Sequence, residues 1–113
     1  MATTRFIHDG EAIDYTPGSD VSAGDVVVQG DLVGIAKLDI ASGALGSLAV
    51  VGVFDLPKAT GGGTAITAGA KVYWDAGDEE AKADDESGAN KYLGKVVRAA
   101  ADADETVRVR LEQ

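Results

Sequence analysis

The apolar positions of this chain follow a period of two. Thr106-Val107-Arg108-Val109-Arg110-Leu111-Glu112 alternates strictly. Successive side chains of an extended strand point to opposite faces, so Val107, Val109 and Leu111 are expected to face a core while Arg108 and Arg110 face water. Shorter β-branched runs at Arg5–Ile7, Glu11–Tyr15, Asp25–Gln29, Leu32–Ala36, Lys71–Trp74 and Tyr92–Arg98 are each bounded by turn formers. Their recurrence at intervals of roughly ten residues is the pattern of sandwiches and barrels. Within Lys71–Trp74, Val72 and Trp74 share the inner face, which leaves Tyr73 at the surface or an interface. Leu48–Leu56 differs: Leu48, Val50, Phe54 and Leu56 lie on one face, and Ala49, Val51 and Val53 make the other apolar too. That pattern predicts one strand covered on both sides. Helix-period runs are missing, and Ala-rich Arg98–Glu105 is too short to hold more than one turn.

Two segments read as copies of each other. Val21-Ser22-Ala23-Gly24-Asp25-Val26-Val27 matches Ile66-Thr67-Ala68-Gly69-Ala70-Lys71-Val72 in residue type. Downstream, Leu32-Val33-Gly34 returns as Tyr92-Leu93-Gly94, and a hydroxyl opens a later apolar strand in each copy, Ser47-Leu48 and Thr106-Val107. Gly after Ala supplies positive φ for a tight turn, so a repeated turn implies a repeated strand geometry. The expected fold is all-β, a single domain over residues 1–113 shaped as a small β-barrel or β-clip-like unit with two related turn-strand halves and little or no helix. The halves differ by what separates the matching strands, Gln29-Gly30-Asp31 in the first and Asp75–Asn90 in the second.

Charge sharpens this picture. The 113 residues carry 19 acids and 10 bases, a formal net charge of −9. Seven acids and one Lys fall within Asp75–Asn90, so this insert holds most of the excess and reads as a solvated, mobile loop. Such acidity argues against nucleic acid or anionic membrane as partners, since both attract cations. No apolar stretch approaches the roughly 20 residues of a membrane span, the start lacks a secretion signal, and the lack of Cys fits a reducing compartment, so synthesis in a cytoplasm is expected. A domain of this size without disulfides draws its stability from apolar packing, with association between copies as an expectation.

Little in the chain points to catalysis. His8 is the only imidazole and sits in a His8-Asp9-Gly10 turn, which leaves a triad or His-based metal site without partners. No Cys is present, and no Ser lies in a nucleophile elbow or a Ser-x-x-Lys pair. Gly61-Gly62-Gly63-Thr64 lacks the Lys and the following helix of a phosphate loop and reads as a flexible hairpin loop. The acids Asp75, Asp78, Glu79, Asp84, Asp85 and Glu86 do not follow EF-hand spacing, and an enzyme would need a perturbed acid pair such as Asp75 with Asp78, for which the sequence gives no reason. No cofactor and no metal are expected.

The ordered set of segments Gly-Glu-Ala-Ile-Asp-Tyr-Thr, Val-Ser-Ala-Gly-Asp-Val-Val, Gly-Asp-Leu-Val-Gly-Ile-Ala, Gly-Val-Phe-Asp-Leu-Pro-Lys and Ile-Thr-Ala-Gly-Ala-Lys-Val-Tyr-Trp-Asp resembles the capsid cement, or head decoration, family of tailed phages and prophages. The resemblance covers residues 4–112. It implies an all-β homotrimer on the outside of a phage head, with the major capsid protein as partner, no reaction and no catalytic residues. The acidic insert departs from the family pattern. An N-terminal arm, residues 1–7, is then expected to add a strand to a capsid sheet, with Thr4, Arg5, Phe6 and Ile7 as contacts. Val51, Val53 and Tyr73 are the expected oligomer contacts. The acidic loop would face away from the shell, and removing Asp78–Glu86 would leave assembly intact. The rival reading is a virion-displayed β module that binds a carbohydrate or a host surface, for which six aromatics offer little material.

Overall fold

The computed structural model describes residues 3–113 and consists of two antiparallel sheets. Sheet one contains β1 (Ala12–Tyr15), β2 (Val26–Gln29), β3 (Leu32–Ile35) and β4 (Gly46–Ala49) in the order β1-β4-β3-β2. Sheet two contains β5 (Gly52–Pro57), β6 (Lys71–Asp75), β7 (Glu80–Lys82), β8 (Lys91–Arg98) and β9 (Thr106–Leu111) in the order β5-β9-β8-β6-β7. Among the described residues there is no α-helix, and the single helical element is a 3₁₀ turn at Glu86–Gly88. Neither sheet closes on itself, so the expected barrel is replaced by two open sheets.

The strand expected at Leu48–Leu56 is two strands in different sheets. β4 ends at Ala49, Val50 donates its N–H to the Glu11 carbonyl (3.0 Å), and β5 begins at Gly52. Gly52 has φ of 137°, a conformation that residues with a Cβ rarely adopt, and there the chain turns out of one sheet into the other. Leu48 and Leu56 are both buried but in different cores, while Val51 and Val53 are exposed. The apolar second face in the sequence is thus a consequence of the crossover.

Each half forms one sheet, and the same hydrogen bonds recur in both. Val21 and Ile40 exchange backbone bonds (2.9 and 2.8 Å), and so do Ile66 and Ala100 (2.9 Å each). Gly24 N–H donates to the Ala36 carbonyl (2.6 Å) and Gly69 N–H to the Val96 carbonyl (2.7 Å), with φ of 93° and 86° at the two glycines. The ladders refine one detail: Ile35 stands opposite Ala49 and Lys95 opposite Arg110, which sets Leu48 in line with Val109 instead of Val107.

The sheets pack through Val33 and Ile35 of β3 against Leu56, Trp74, Leu93, Val107, Val109 and Leu111 of sheet two. Trp74 lies inside, 6% exposed. A smaller core of Ala36, Ile40 and Leu48, with Ile13, Tyr15 and Val21 against it, occupies the other side of sheet one. Two polar contacts join the halves. The Gln113 amide accepts from Val33 N–H (2.6 Å) and donates to the Val33 carbonyl (2.5 Å), in the manner of an added strand residue. Asp31, before β3, pairs with Lys91, at the start of β8 (2.9 Å).

The insert is ordered structure, contrary to the expectation of a mobile loop. After Asp75 the chain turns and pairs β7 with β6, Tyr73 opposite Lys82 and Trp74 opposite Ala81. Ala81 is 1% exposed and joins the main core. Lys82 Nζ draws Asp75 (2.7 Å) and Asp78 (2.6 Å) around itself, Asp85 caps the 3₁₀ turn, and buried Asn90 donates its amide to the Asp84 carbonyl (2.9 Å). A cation at the centre of an acidic segment offsets the repulsion that would otherwise keep it extended.

Candidate functional site

Thr4, Arg5, Phe6 and Ile7 precede β1 as an exposed segment without regular structure. The strand expected at Arg5–Ile7 is not formed, because neither sheet pairs with this segment. Phe6 and Ile7 are 77% and 67% exposed. Large apolar side chains held in water carry an unrealised burial free energy of about 1.5–3 kcal/mol each, which is what contact anchors look like before they are covered. His8 is exposed and its Nδ1 accepts from the Gly10 N–H (3.0 Å), a local turn bond.

Val53 and Tyr73 lie on one side of sheet two, its outer face. Val53 stands opposite Arg110, Arg110 opposite Lys95, and Lys95 opposite Lys71, a continuous cross-strand row. Tyr73 is two residues from Lys71 on the same side of β6, beyond a bulge, with its ring tilted at 60° to that of Tyr92 (centroids 5.7 Å apart). Tyr92 donates to Glu112 (3.2 Å), and burial, with the Glu112 carboxylate beside it, raises the phenol above its ordinary range. Glu112 in turn lies 3.4 Å from both Lys95 and Arg110, and the Lys95 ammonium is the main reason its carboxyl is held low. Further along the face Arg108 grips Asp55 with two bonds (2.9 and 3.2 Å), which lowers the Asp55 carboxyl. Val51 does not join this face, since it belongs to the crossover.

Lys71, Lys95 and Leu38 with Leu45 are surface features that the linear pattern did not single out. Arg108 and Arg110 were assigned to the water side of β9 by alternation, but that three strands align cations in register depends on strand order. Leu38 and Leu45, 77% and 72% exposed, both sit on the connection between β3 and β4 and line a groove of about 430 Å³ with Asp14, Lys37 and Asp39.

The hollows of the surface offer no catalytic constellation. The groove beside β2, about 550 Å³, is lined by Val26, Val27, Val28, Trp74, Asp25 and Glu79, without a nucleophile and base in hydrogen-bond reach. Asp75 and Asp78 both bind Lys82, so Asp75 is pushed below the usual carboxylate range, opposite to the raised value a general acid needs. The Gly61–Thr64 loop is fastened, with Asp102 accepting from the Thr64 and Ala65 N–H groups (3.1 and 2.8 Å). Buried Lys58 is likewise occupied by the Ala59 carbonyl (2.6 Å) and Thr64 Oγ1 (3.2 Å). No group of three His, Cys, Asp or Glu suited to a metal occurs among the described residues.

What the surface does offer is an apolar arm and a broad sheet face, the equipment of a protein that binds other proteins. No curated protein and no solved structure matches the chain. The family model described as phage cement protein matches residues 7–111. It covers both sheets and begins at the last residue of the arm, and by that match the chain belongs to the phage cement proteins, structural components of the virion on the capsid exterior and not enzymes.

Proposed function

We propose that this protein binds the outer surface of an assembled phage head as a homotrimer and braces the lattice of the major capsid protein. The family match over nearly the whole chain carries the reading. In this reading Thr4, Arg5, Phe6 and Ile7 meet the capsid, and the exposure of Phe6 and Ile7 ahead of a rigid body supports that role. Such an arm gains order when it adds to a sheet edge, and many copies on one lattice turn weak single contacts into firm attachment. Val51, Val53 and Tyr73 contribute to the contacts between copies, supported by the exposure of both valines and the half-exposed ring of Tyr73. We read the two halves as copies of one unit related by an approximate two-fold, a β-clip-like pair. Their common strand order and the pairing of Asp31 with Lys91, at equivalent places in the halves, support this.

The test is the mass of the purified protein by light scattering, followed by co-sedimentation with expanded, undecorated phage shells. Binding that saturates at a fixed ratio to the capsid protein, and is lost on removing residues 1–7, is the expected result. A monomer indifferent to shells would overturn the reading.

A further inference from the structure

A row of like charges crosses the outer face of sheet two. Arg110, Lys95 and Lys71 stand directly opposite one another on three successive strands, and like charges so placed repel. Only Glu112 lies among them, shared between Lys95 and Arg110, and Lys71 has no ion pair among the described residues. This occurs in a chain of net charge −9 whose first half, through Val51, has seven acids and two bases. A surface that holds a row of cations inside an acidic protein is matched to a carboxylate-bearing partner, and the row is flanked by apolar anchors, Val53 at one end and the Tyr73–Tyr92 pair at the other.

The same charges decide how copies can meet. In a two-fold contact each surface faces itself, and this face would set three cations against three. A head-to-tail contact sets it against a different surface of the next copy. The groove on sheet one is complementary in the balance of its charges: exposed Leu38 and Leu45 for the valine and the tyrosines, and Asp14 and Asp39 for the cations, against the single base Lys37 on the same lining. We propose that the sheet-two outer face of one copy docks on the Leu38–Leu45 groove of the next, so that Lys71, Lys95 and Arg110 meet Asp14 and Asp39, and that the head-to-tail contact closes into a ring. The inference rests on the reading of this chain as an oligomer and states which two surfaces form its interface.

Sedimentation velocity of the full-length protein tests it, with the fold monitored by circular dichroism and by the fluorescence of buried Trp74. Association should weaken at least tenfold between about 50 and 500 mM NaCl as the charges are screened. The double variant Lys71→Glu with Lys95→Glu should dissociate at least tenfold more readily, and so should Asp14→Lys with Asp39→Lys. All four changes in one chain should restore association, since the charges are then exchanged and not lost. Unchanged association of folded Lys71→Glu/Lys95→Glu protein overturns the proposal, as does failure of the fourfold variant to recover. If that double variant still associates but no longer co-sediments with phage shells, the face meets the capsid and the proposal falls while the cement reading stands. A wild-type monomer that still saturates shells likewise removes the interface and keeps the cement role.

Discussion

A methyl group at Gly94 would run into the backbone carbonyl of Arg110, and one at Gly34 would come within 2.8 Å of Leu48 Cβ. Both glycines are buried in strands that have neighbours on either side, and they hold matching places in the two halves. The obstruction at Gly94 is backbone and the approach there is far closer, whereas at Gly34 it is Leu48 Cβ, which moves only with its own strand but needs a smaller displacement. Gly94→Ala is therefore expected to cost more than about 3 kcal/mol, and Gly34→Ala about 1–3 kcal/mol, in urea unfolding followed by Trp74 fluorescence. Equal and negligible costs would show that the strands relax freely around an added methyl. A second residue-scale prediction concerns Asp75. The Lys82 bond, then the Asp78 N–H, hold its carboxyl below the ordinary 3.8, against the opposing effect of burial. A lowered folded pKa means that the unfolded chain takes up the proton first as pH falls. The contribution is complete above about pH 4 and disappears as pH drops through the folded value. The gap in Tm between wild type and Lys82→Met should accordingly be widest near neutral pH and narrow below about pH 4. A constant gap down to pH 2 would place the role of Lys82 elsewhere.

At the scale of elements, what could be read from the sequence was local. The Ala-Gly turns at Ala23-Gly24 and Ala68-Gly69 announce themselves because positive φ and the strand after it are set by neighbouring residues, and the same bonds to Ala36 and Val96 follow. The alternation of β9 was legible for the same reason. The break between β4 and β5 was not, because Gly52 within an apolar run looks like a strand residue until Leu48 and Leu56 are seen in separate cores. The strand expected at Arg5–Ile7 is absent for a related reason: alternation describes a residue's fitness for a sheet but supplies no sheet to join. β7 was hidden most completely. Glu80-Ala81-Lys82 is short and mostly charged, and it becomes a strand through Lys82 binding Asp75 and Asp78 across the turn and Ala81 reaching the core. Composition alone pointed to solvated chain, so removal of Asp78–Glu86 was expected to leave assembly intact. For the fold itself the structure gives a cost: this deletion takes out β7 and uncovers the edge of β6, and calorimetry should show Tm lower by at least about 5 °C. An unchanged Tm would mean that β7 contributes nothing to the body.

For the molecule as a whole, the candidate contact residues were partly legible. The Thr4–Ile7 segment, Val51 and Val53 stood out by their apolar content, but their exposure follows from the missing strand at Arg5–Ile7 and from the break between β4 and β5. That Val53 and Tyr73 share a face with Arg110, Lys95 and Lys71 required the order β5-β9-β8-β6, which no local pattern encodes. The single covalent crossing between the sheets, at Val50 and Val51, makes a further prediction. The halves are held by the core that Val33 and Ile35 share with Leu56, Trp74 and Leu93, and by Gln113 on Val33. With a protease site replacing Val51, the cleaved protein should elute as one species in size exclusion, and separation of the fragments would show that the crossover itself holds the sheets together.

The insert between β6 and β8 has a counterpart in the first half, the tight turn at Gly30 and Asp31 between β2 and β3. One half thus carries, at this place, a long acidic excursion on a sheet that keeps its strand order. The corresponding turn is where an engineer would splice in a foreign peptide. A shell coated with this protein would then present the guest sequence in as many copies as there are cement molecules, in fixed orientation, without any change to the capsid gene.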